Sequence, residues 1–197
     1  MYKYNLELSN IAMEGNVTME RLLIKAKHSR IQAVSSESHH EEWLSFLDSR
    51  CGSFLDIGAA SGRDAHWFAS RGWQVTAVED NPQWERLYDG NAKVEWICDK
   101  LPNLLSLISK PQYDAILVSN QWPRLNQVEQ QQALLRLFGL LKTGGLLVVT
   151  WSEGGEYKNE HPVDYLPFRK ALIVEGPDAI DPSAIMYTAI FGANQSL

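Results

Sequence analysis

Gly58 and Gly62 lie four residues apart, directly after the short apolar run Phe54-Leu55-Asp56-Ile57. Glycine there lets backbone amides come close to a ligand. A helix opening next adds unpaired N–H groups and the positive end of its dipole, a setting suited to a carboxylate. Twenty-one positions after Gly58, a second apolar run ends at Glu79. A carboxylate at a strand end can accept hydrogen bonds from both hydroxyls of a ribose. Loop and acid at this spacing imply a nucleoside-containing ligand. The dinucleotide pattern GxGxxG lacks its third glycine, and the phosphate loop GxxxxGK[ST] is absent because Arg63, not Lys, follows Gly62.

These residues can act together only if strands and helices bring them to one edge of a sheet. Residues 53–58 read as a strand, 63–70 as a helix closed by Gly72 at C′, and 73–78 as a second strand. Pro82 opens a helix to about Tyr88, 93–97 is a third strand, and 104–109 is a short helix stopped by Pro111. The run Tyr113–Ser119 has a continuous apolar centre over 115–118, as a central strand does; a long amphipathic helix over 127–141 and a fifth strand over 146–150 follow. Upstream, 38–50 reads as a helix with Ser38 as N-cap, Glu41 as its capping-box partner, and Trp43, Leu44, Phe46 and Leu47 on its apolar face. Residues 19–24 read as a short helix. Downstream, 172–175 and 185–191 are strands with only a Pro/Asp-rich turn between them, which predicts an antiparallel hairpin. The expected fold is α/β: a Rossmann-like, doubly wound, mostly parallel seven-stranded sheet with a C-terminal antiparallel hairpin and helices on both faces. Residues 1–37 read as a leader with a short helix, a candidate lid, and 38–197 as a single domain.

The stretch Leu55-Asp56-Ile57-Gly58-Ala59-Ala60-Ser61-Gly62-Arg63-Asp64 resembles motif I of class I S-adenosyl-L-methionine-dependent methyltransferases, in the LDxGxxSGRD form of some bacterial members. Val78-Glu79-Asp80 is similar to the acidic motif II, Asp99-Lys100-Leu101-Pro102 to the segment after motif III, and 113–122 to motif IV. Residues 140–148 resemble the segment that precedes the fifth strand of that family. The resemblance spans about 40–192 and departs from the family pattern at Ala60, at Thr143 and in a short region after 151. It implies S-adenosyl-L-methionine as cofactor. Gly58, Ala59, Ala60, Ser61 and Gly62 would line its methionine end, with Asp56 ordering the loop and the ammonium. Glu79 would hold the ribose, with Asp80 beside the adenine and Asp99, Lys100 and Leu101 around the base. Ser119 and Asn120 would face the methyl group, and Arg63 and Asp64 would stand at the start of the helix against the cofactor. Asn120, Trp122 and Trp151 are the candidates for the acceptor pocket, and no catalytic base is assigned.

Plainer readings stand beside these. Asp56 can be an ordinary strand residue. Asp80 fits an N-cap before Pro82, and Asp99 a cap for the helix after it. Arg63 and Asp64 can simply pair on a helix surface. His39-His40-Glu41-Glu42 has metal-ligating residue types, but neighbouring histidines on a helix diverge, so the run reads as a solvated helix start and no metal is expected.

The bulk composition narrows the class. The chain has 197 residues, 45% of them hydrophobic, and a net charge of -6 with a pI near 5.4; this suits one domain and gives no clear nucleic-acid signal. Cys51 and Cys98 form no CxxC pair and read as free thiols. No apolar run reaches the length of a membrane span and the N-terminus lacks a signal-peptide pattern, so a cytoplasmic monomer or homodimer acting on a small-molecule acceptor is expected. Two other classes stand against a methyltransferase: a cofactor-binding sensor without turnover, motivated by the odd motif I, and a nicotinamide-dependent oxidoreductase, disfavoured by the missing glycine.

Overall fold

The computed structural model describes residues 35–47, 51–81, 93–153, 172–178 and 183–192. The helices expected over 19–24 and from Pro82, and most of the 1–37 leader, lie outside these residues.

Two short helical turns, α1 (Ser36–His39) and α2 (Glu41–Leu44), come first. Strand β1 (Ser53–Ile57) leads through the glycine loop to helix α3 (Arg63–Ser70) and strand β2 (Gln74–Val78). Strand β3 (Val94–Ile97) and a 3-10 turn (Leu105–Leu107) precede β4 (Tyr113–Ser119). A second 3-10 turn (Trp122–Arg124) leads to helix α4 (Gln127–Leu140), β5 (Leu141–Glu153), β6 (Leu172–Pro177) and β7 (Ile185–Gly192).

The seven strands make one sheet in the order β3-β2-β1-β4-β5-β7-β6. The first five pair in parallel; β7 runs antiparallel to β5, and β6 antiparallel to β7. The connection reverses direction between β1 and β4, so a crevice opens beyond their C-terminal ends, where ligands of such sheets bind.

Each face has its own apolar layer. On one, Phe54, Ala115, Leu117 and Val148 meet Ala65, Phe68 and Ala69 of α3. On the other, Leu55, Ile57, Ile116, Val118 and Val149 meet Leu134 and Leu137 of α4. Burial on both faces explains why β4 is apolar at every central position. The pairing of β4 with β5 shifts register between Tyr113 and Ala115, since Tyr113 faces Leu141 and Ala115 faces Leu146. Helix α4 starts at a full capping box: Asn126 accepts from the N–H groups of Val128 and Glu129, and Glu129 accepts from the Asn126 N–H.

The structure corrects the sequence in two places. In place of a helix starting at Ser38, two turns straddle His40; Ser38 lies inside the first, the second has no side-chain cap, and Phe46 is 54% exposed. Among the apolar residues of this segment only Trp43 is fully buried, stacked on Phe68, and one apolar anchor does not sustain a longer amphipathic helix. β5 is also longer than expected, because its ladder starts at Leu141 opposite Tyr113. Among the described residues, no helix is long and apolar enough to cross a membrane.

Candidate functional site

The glycine loop folds back onto the end of β2. The N–H groups of Gly58 and Ala59 donate to the carbonyl oxygen of Val78 (2.9 and 3.2 Å), and the Gly62 N–H donates to that of Ala59 (2.8 Å). Gly58 and Gly62 both have φ of +77°. A Cβ on Gly58 would come within 2.6 Å of the Ser119 carbonyl oxygen, and one on Gly62 within 2.8 Å of the Trp96 ring. Ala60, in the place of a glycine, holds φ of +47°, a left-handed conformation that costs a non-glycine residue about 1 kcal/mol.

Glu79 ties this loop to the strand end. Its Oε2 accepts from the Ala60 N–H (2.9 Å) and its Oε1 from the Asn81 N–H (3.0 Å). Burial raises its carboxyl above the usual range, and Asp80 beside it adds to the rise, against the two amide bonds. Each oxygen keeps a second lone pair, so two hydroxyl groups can still be bound. Asp80 itself is exposed.

Asp56 is fully buried on the α3 side of β1, and neither carboxyl oxygen makes a hydrogen bond of ordinary geometry. Burial raises its pKa well above the carboxylate range, and the charge of Asp64 adds to this; Arg63 and the Ala65 amide oppose it without prevailing. A buried carboxyl so weakly hydrogen-bonded, beneath a glycine loop, fits a cationic or N–H-bearing group above it.

Above α3 stands a buried charged cluster. Nε and an Nη of Arg63 each donate to Asp64 at 2.9 Å, and Nε2 of His40 lies 3.1 Å from Oδ1 of the same carboxylate. Burial works against the Asp64 charge, but His40 and Arg63 outweigh it and hold the carboxyl far below its usual range. This corrects two expectations: Arg63 and Asp64 pair in the interior, and His39 and His40 are buried rather than solvated. Ser36 explains part of it, since its hydroxyl donates to the Arg63 carbonyl and draws α1 onto α3.

The remaining candidates spread along the same edge. Both carboxyl oxygens of Asp99 accept backbone amides, from Lys100 and Ser106 (2.7 Å each), which is the capping role. Leu101 is buried and Lys100 exposed. Ser119 accepts from the Gln121 side chain through its carbonyl. Asn120, at φ of +51°, receives the Ser152 N–H on its Oδ1 (2.9 Å), clasping the ends of β4 and β5. Trp122 and Trp151, both 1% exposed, lie in the core on the α4 side, where Trp151 stacks on Tyr187.

Sequence reasoning passed over Ser152 and Asp178, and took His39 only as part of a solvated helix start. Asp178 is buried after β6 and receives the Ser152 hydroxyl on Oδ2. Its place in a Pro/Asp-rich turn gave no signal, since only the β5-β7-β6 pairing brings it to the ligand edge. Among the described residues, no group of three or more metal-ligating side chains gathers. A cavity of about 680 Å³ opens at the opposite edge, where Thr76, Glu95, Lys110 and Tyr113 line it. It does not reach the glycine loop.

The strand order, the glycine loop after β1 and the acid closing β2 define the Rossmann-like fold of class I S-adenosyl-methionine-dependent methyltransferases. Residues 54–145 match the family described as methyltransferase domain. An uncharacterized methyltransferase of Alkaliphilus oremlandii (strain OhILAs) is 32% identical over 122 residues, 57% of this chain and 52% of that protein. The chain thus spans about half the length of that relative. Among solved structures, the plantazolicin methyltransferase BpumL in complex with SAH superposes with a TM-score of 0.59 at 12% identity, covering 90% of this chain and 89% of that one. The N-methyltransferase NodS from Bradyrhizobium japonicum WM9 gives 0.58 at 17% identity, over 79% of this chain and 94% of that one. The glycopeptide N-methyltransferase MtfA, complexed with S-adenosyl-L-methionine, gives 0.57 at 13%, again over 79% and 94%.

Proposed function

We propose that the protein binds S-adenosyl-L-methionine and transfers its methyl group to a small-molecule acceptor. The observation that carries this reading is Glu79: a buried carboxylate at the end of β2, bonded to the glycine loop and with lone pairs left for two ribose hydroxyls. The amides of the glycine loop and the first turn of α3 would hold the carboxylate of the methionine end. Asp56, buried and without a hydrogen bond of ordinary geometry, would take the ammonium. When bound, the cofactor supplies an electrophilic methyl on a sulfonium, so the protein's part is to align an acceptor lone pair and exclude water. The acceptor would enter over the ends of β4 and β5, past Asn120 and Ser152. Neighbours that are N-methyltransferases, and the SAH or S-adenosyl-L-methionine held by others, support the reading.

Calorimetric titration with S-adenosyl-L-methionine and S-adenosylhomocysteine tests it, with Glu79→Ala alongside. Micromolar binding that the variant loses is the expected result. Binding without any conversion to S-adenosylhomocysteine across acceptor screens would favour a sensor, and no binding by folded protein would overturn the reading.

A further inference from the structure

Beyond the last paired residues of β4 and β5, Ser119 and Thr150, side chains tie three strand ends together. Asn120 has φ of +51°, a left-handed conformation that asparagine tolerates better than most residues. Its N–H donates to the Thr150 carbonyl oxygen, and its Oδ1 accepts the Ser152 N–H, both at 2.9 Å. Asp178 extends β6 in a similar way. It is 5% exposed, its N–H donates to the Ala184 carbonyl oxygen ahead of β7 (3.0 Å), and its Oδ2 accepts the Ser152 hydroxyl. Gln121 joins this group to the glycine loop. Its Nε2 donates to the Ser119 carbonyl oxygen (3.2 Å) and lies 2.4 Å from where a Cβ on Gly58 would stand. Contacts thus lead from Gly58 through Gln121 and Asn120 to Ser152 and Asp178. Val148 belongs to the α3-side layer, so the alternation of β5 puts the Ser152 side chain on that side too, the side of Asp56.

These contacts set the sense of hydrogen bonding at the edge. A serine hydroxyl ordinarily turns to donate or accept as its neighbour requires. A carboxylate only accepts, so Asp178 takes the Ser152 proton and leaves Oγ with lone pairs to offer. Asn120 is the reverse: its oxygen is occupied by the Ser152 amide, and the exposed residue offers its NH2 donors. We propose that Ser152, set as a hydrogen-bond acceptor by Asp178, and the NH2 of Asn120 form the polar wall of the methyl-acceptor subsite. This wall selects molecules that carry an N–H donor beside an acceptor atom, as a carboxamide or lactam edge does. The proposal rests on the cofactor reading above, in which the acceptor enters over the ends of β4 and β5.

Ser152 and Asn120 touch the acceptor molecule, whereas Asp178 acts through Ser152 as a positioning residue. A molecule whose N–H is replaced by N–CH3 leaves the Ser152 lone pairs unpaired and meets them with a methyl group. Discrimination of this kind comes from the unpaired polar group left behind, not from size alone.

The test uses the full chain saturated with S-adenosylhomocysteine, and ligand-observed NMR to measure binding of matched probes. Benzamide and caprolactam carry the donor and acceptor together; N,N-dimethylbenzamide and N-methylcaprolactam keep the acceptor and lose the donor. The expected result is at least about tenfold tighter binding of the first two. Asp178→Asn keeps the shape, but its amide can donate to Ser152 Oγ, which lets the hydroxyl turn outward as a donor. The preference should then shrink to about twofold or less, and Ser152→Ala should shrink it likewise, with S-adenosylhomocysteine still bound in both variants. A purely structural Asp178 would lower Tm in Asp178→Asn and leave the preference as it was. No binding of benzamide or caprolactam by the loaded protein, equal binding of the two sets, or an unchanged preference in Asp178→Asn and Ser152→Ala would overturn the subsite and leave the cofactor reading intact. Failure of the unaltered protein to bind S-adenosylhomocysteine would bring down both.

Discussion

Nε2 of His40 lies 3.1 Å from Oδ1 of Asp64, and both side chains are buried. Asp64 also holds Arg63 through two bonds, so one carboxylate joins the segment before β1 to the start of α3. Removing one partner of such a cluster leaves a charge in the interior without compensation. Asp64→Asn should cost about 3–5 kcal/mol, read as a fall in the denaturant midpoint. A loss below 1 kcal/mol would show that water already reaches the cluster.

The same cluster predicts how stability depends on pH. His39 titrates near 4 in the folded protein against 6.5 as its ordinary value. Between these values the unfolded chain takes up a proton that the folded chain refuses, so stability is full above 6.5 and falls as pH drops toward 4. The span corresponds to about 3 kcal/mol. His39→Gln should flatten Tm over this window. Asp64, depressed much further, contributes fully above the ordinary carboxylate range and loses its contribution only at stronger acidity.

Cofactor affinity should weaken in acid for a separate reason. Burial raises the Glu79 carboxyl, and a protonated Glu79 accepts fewer hydroxyl bonds. The dissociation constant for S-adenosyl-L-methionine should rise as pH falls, from a point above the usual carboxylate range. In Glu79→Gln this dependence should vanish while fold and secondary structure persist. An unchanged pH profile in that variant would assign the titration elsewhere.

Gly58→Ala should damage the loop more than Gly62→Ala. Both sit at φ of +77°, but a Cβ on Gly58 meets backbone, the Ser119 carbonyl, at 2.6 Å, whereas one on Gly62 meets the end of the Trp96 side chain. The left-handed conformation alone costs about 1–2 kcal/mol in each. Thermal melts should rank the two variants in that order, with cofactor binding lost first in Gly58→Ala.

Trp122→Ala distinguishes core from pocket. With its indole filled in against the α4-side layer, the substitution should cost about 3–5 kcal/mol and lower Tm sharply. A variant with unaltered Tm and altered acceptor preference would return Trp122 to the pocket wall.

The parallel frame was legible because each strand carries its own signal. β4 spans Tyr113–Ser119 and α3 spans Arg63–Ser70 as the sequence implies, since an apolar run and a glycine stop are local facts. The loop from Gly58 to Gly62 and the acid at Glu79 were legible for the same reason: their spacing along the chain sets their spacing on the sheet. The helix before β1 was not legible, because its length depends on how few of its apolar side chains find a partner, and among them only Trp43 is fully buried.

By itself, then, the sequence determined the strand order's parallel core, the glycine loop and its acidic partner, all of which follow from short-range pattern. Tertiary structure alone decided that Trp122 and Trp151 belong to the core, that Asp99 caps a turn, and that His39, His40 and Asp178 are interior. Those outcomes depend on groups far apart in the chain. Asp178 lies 26 positions after Ser152, and only the antiparallel return of β7 and β6 beside β5 brings the two together.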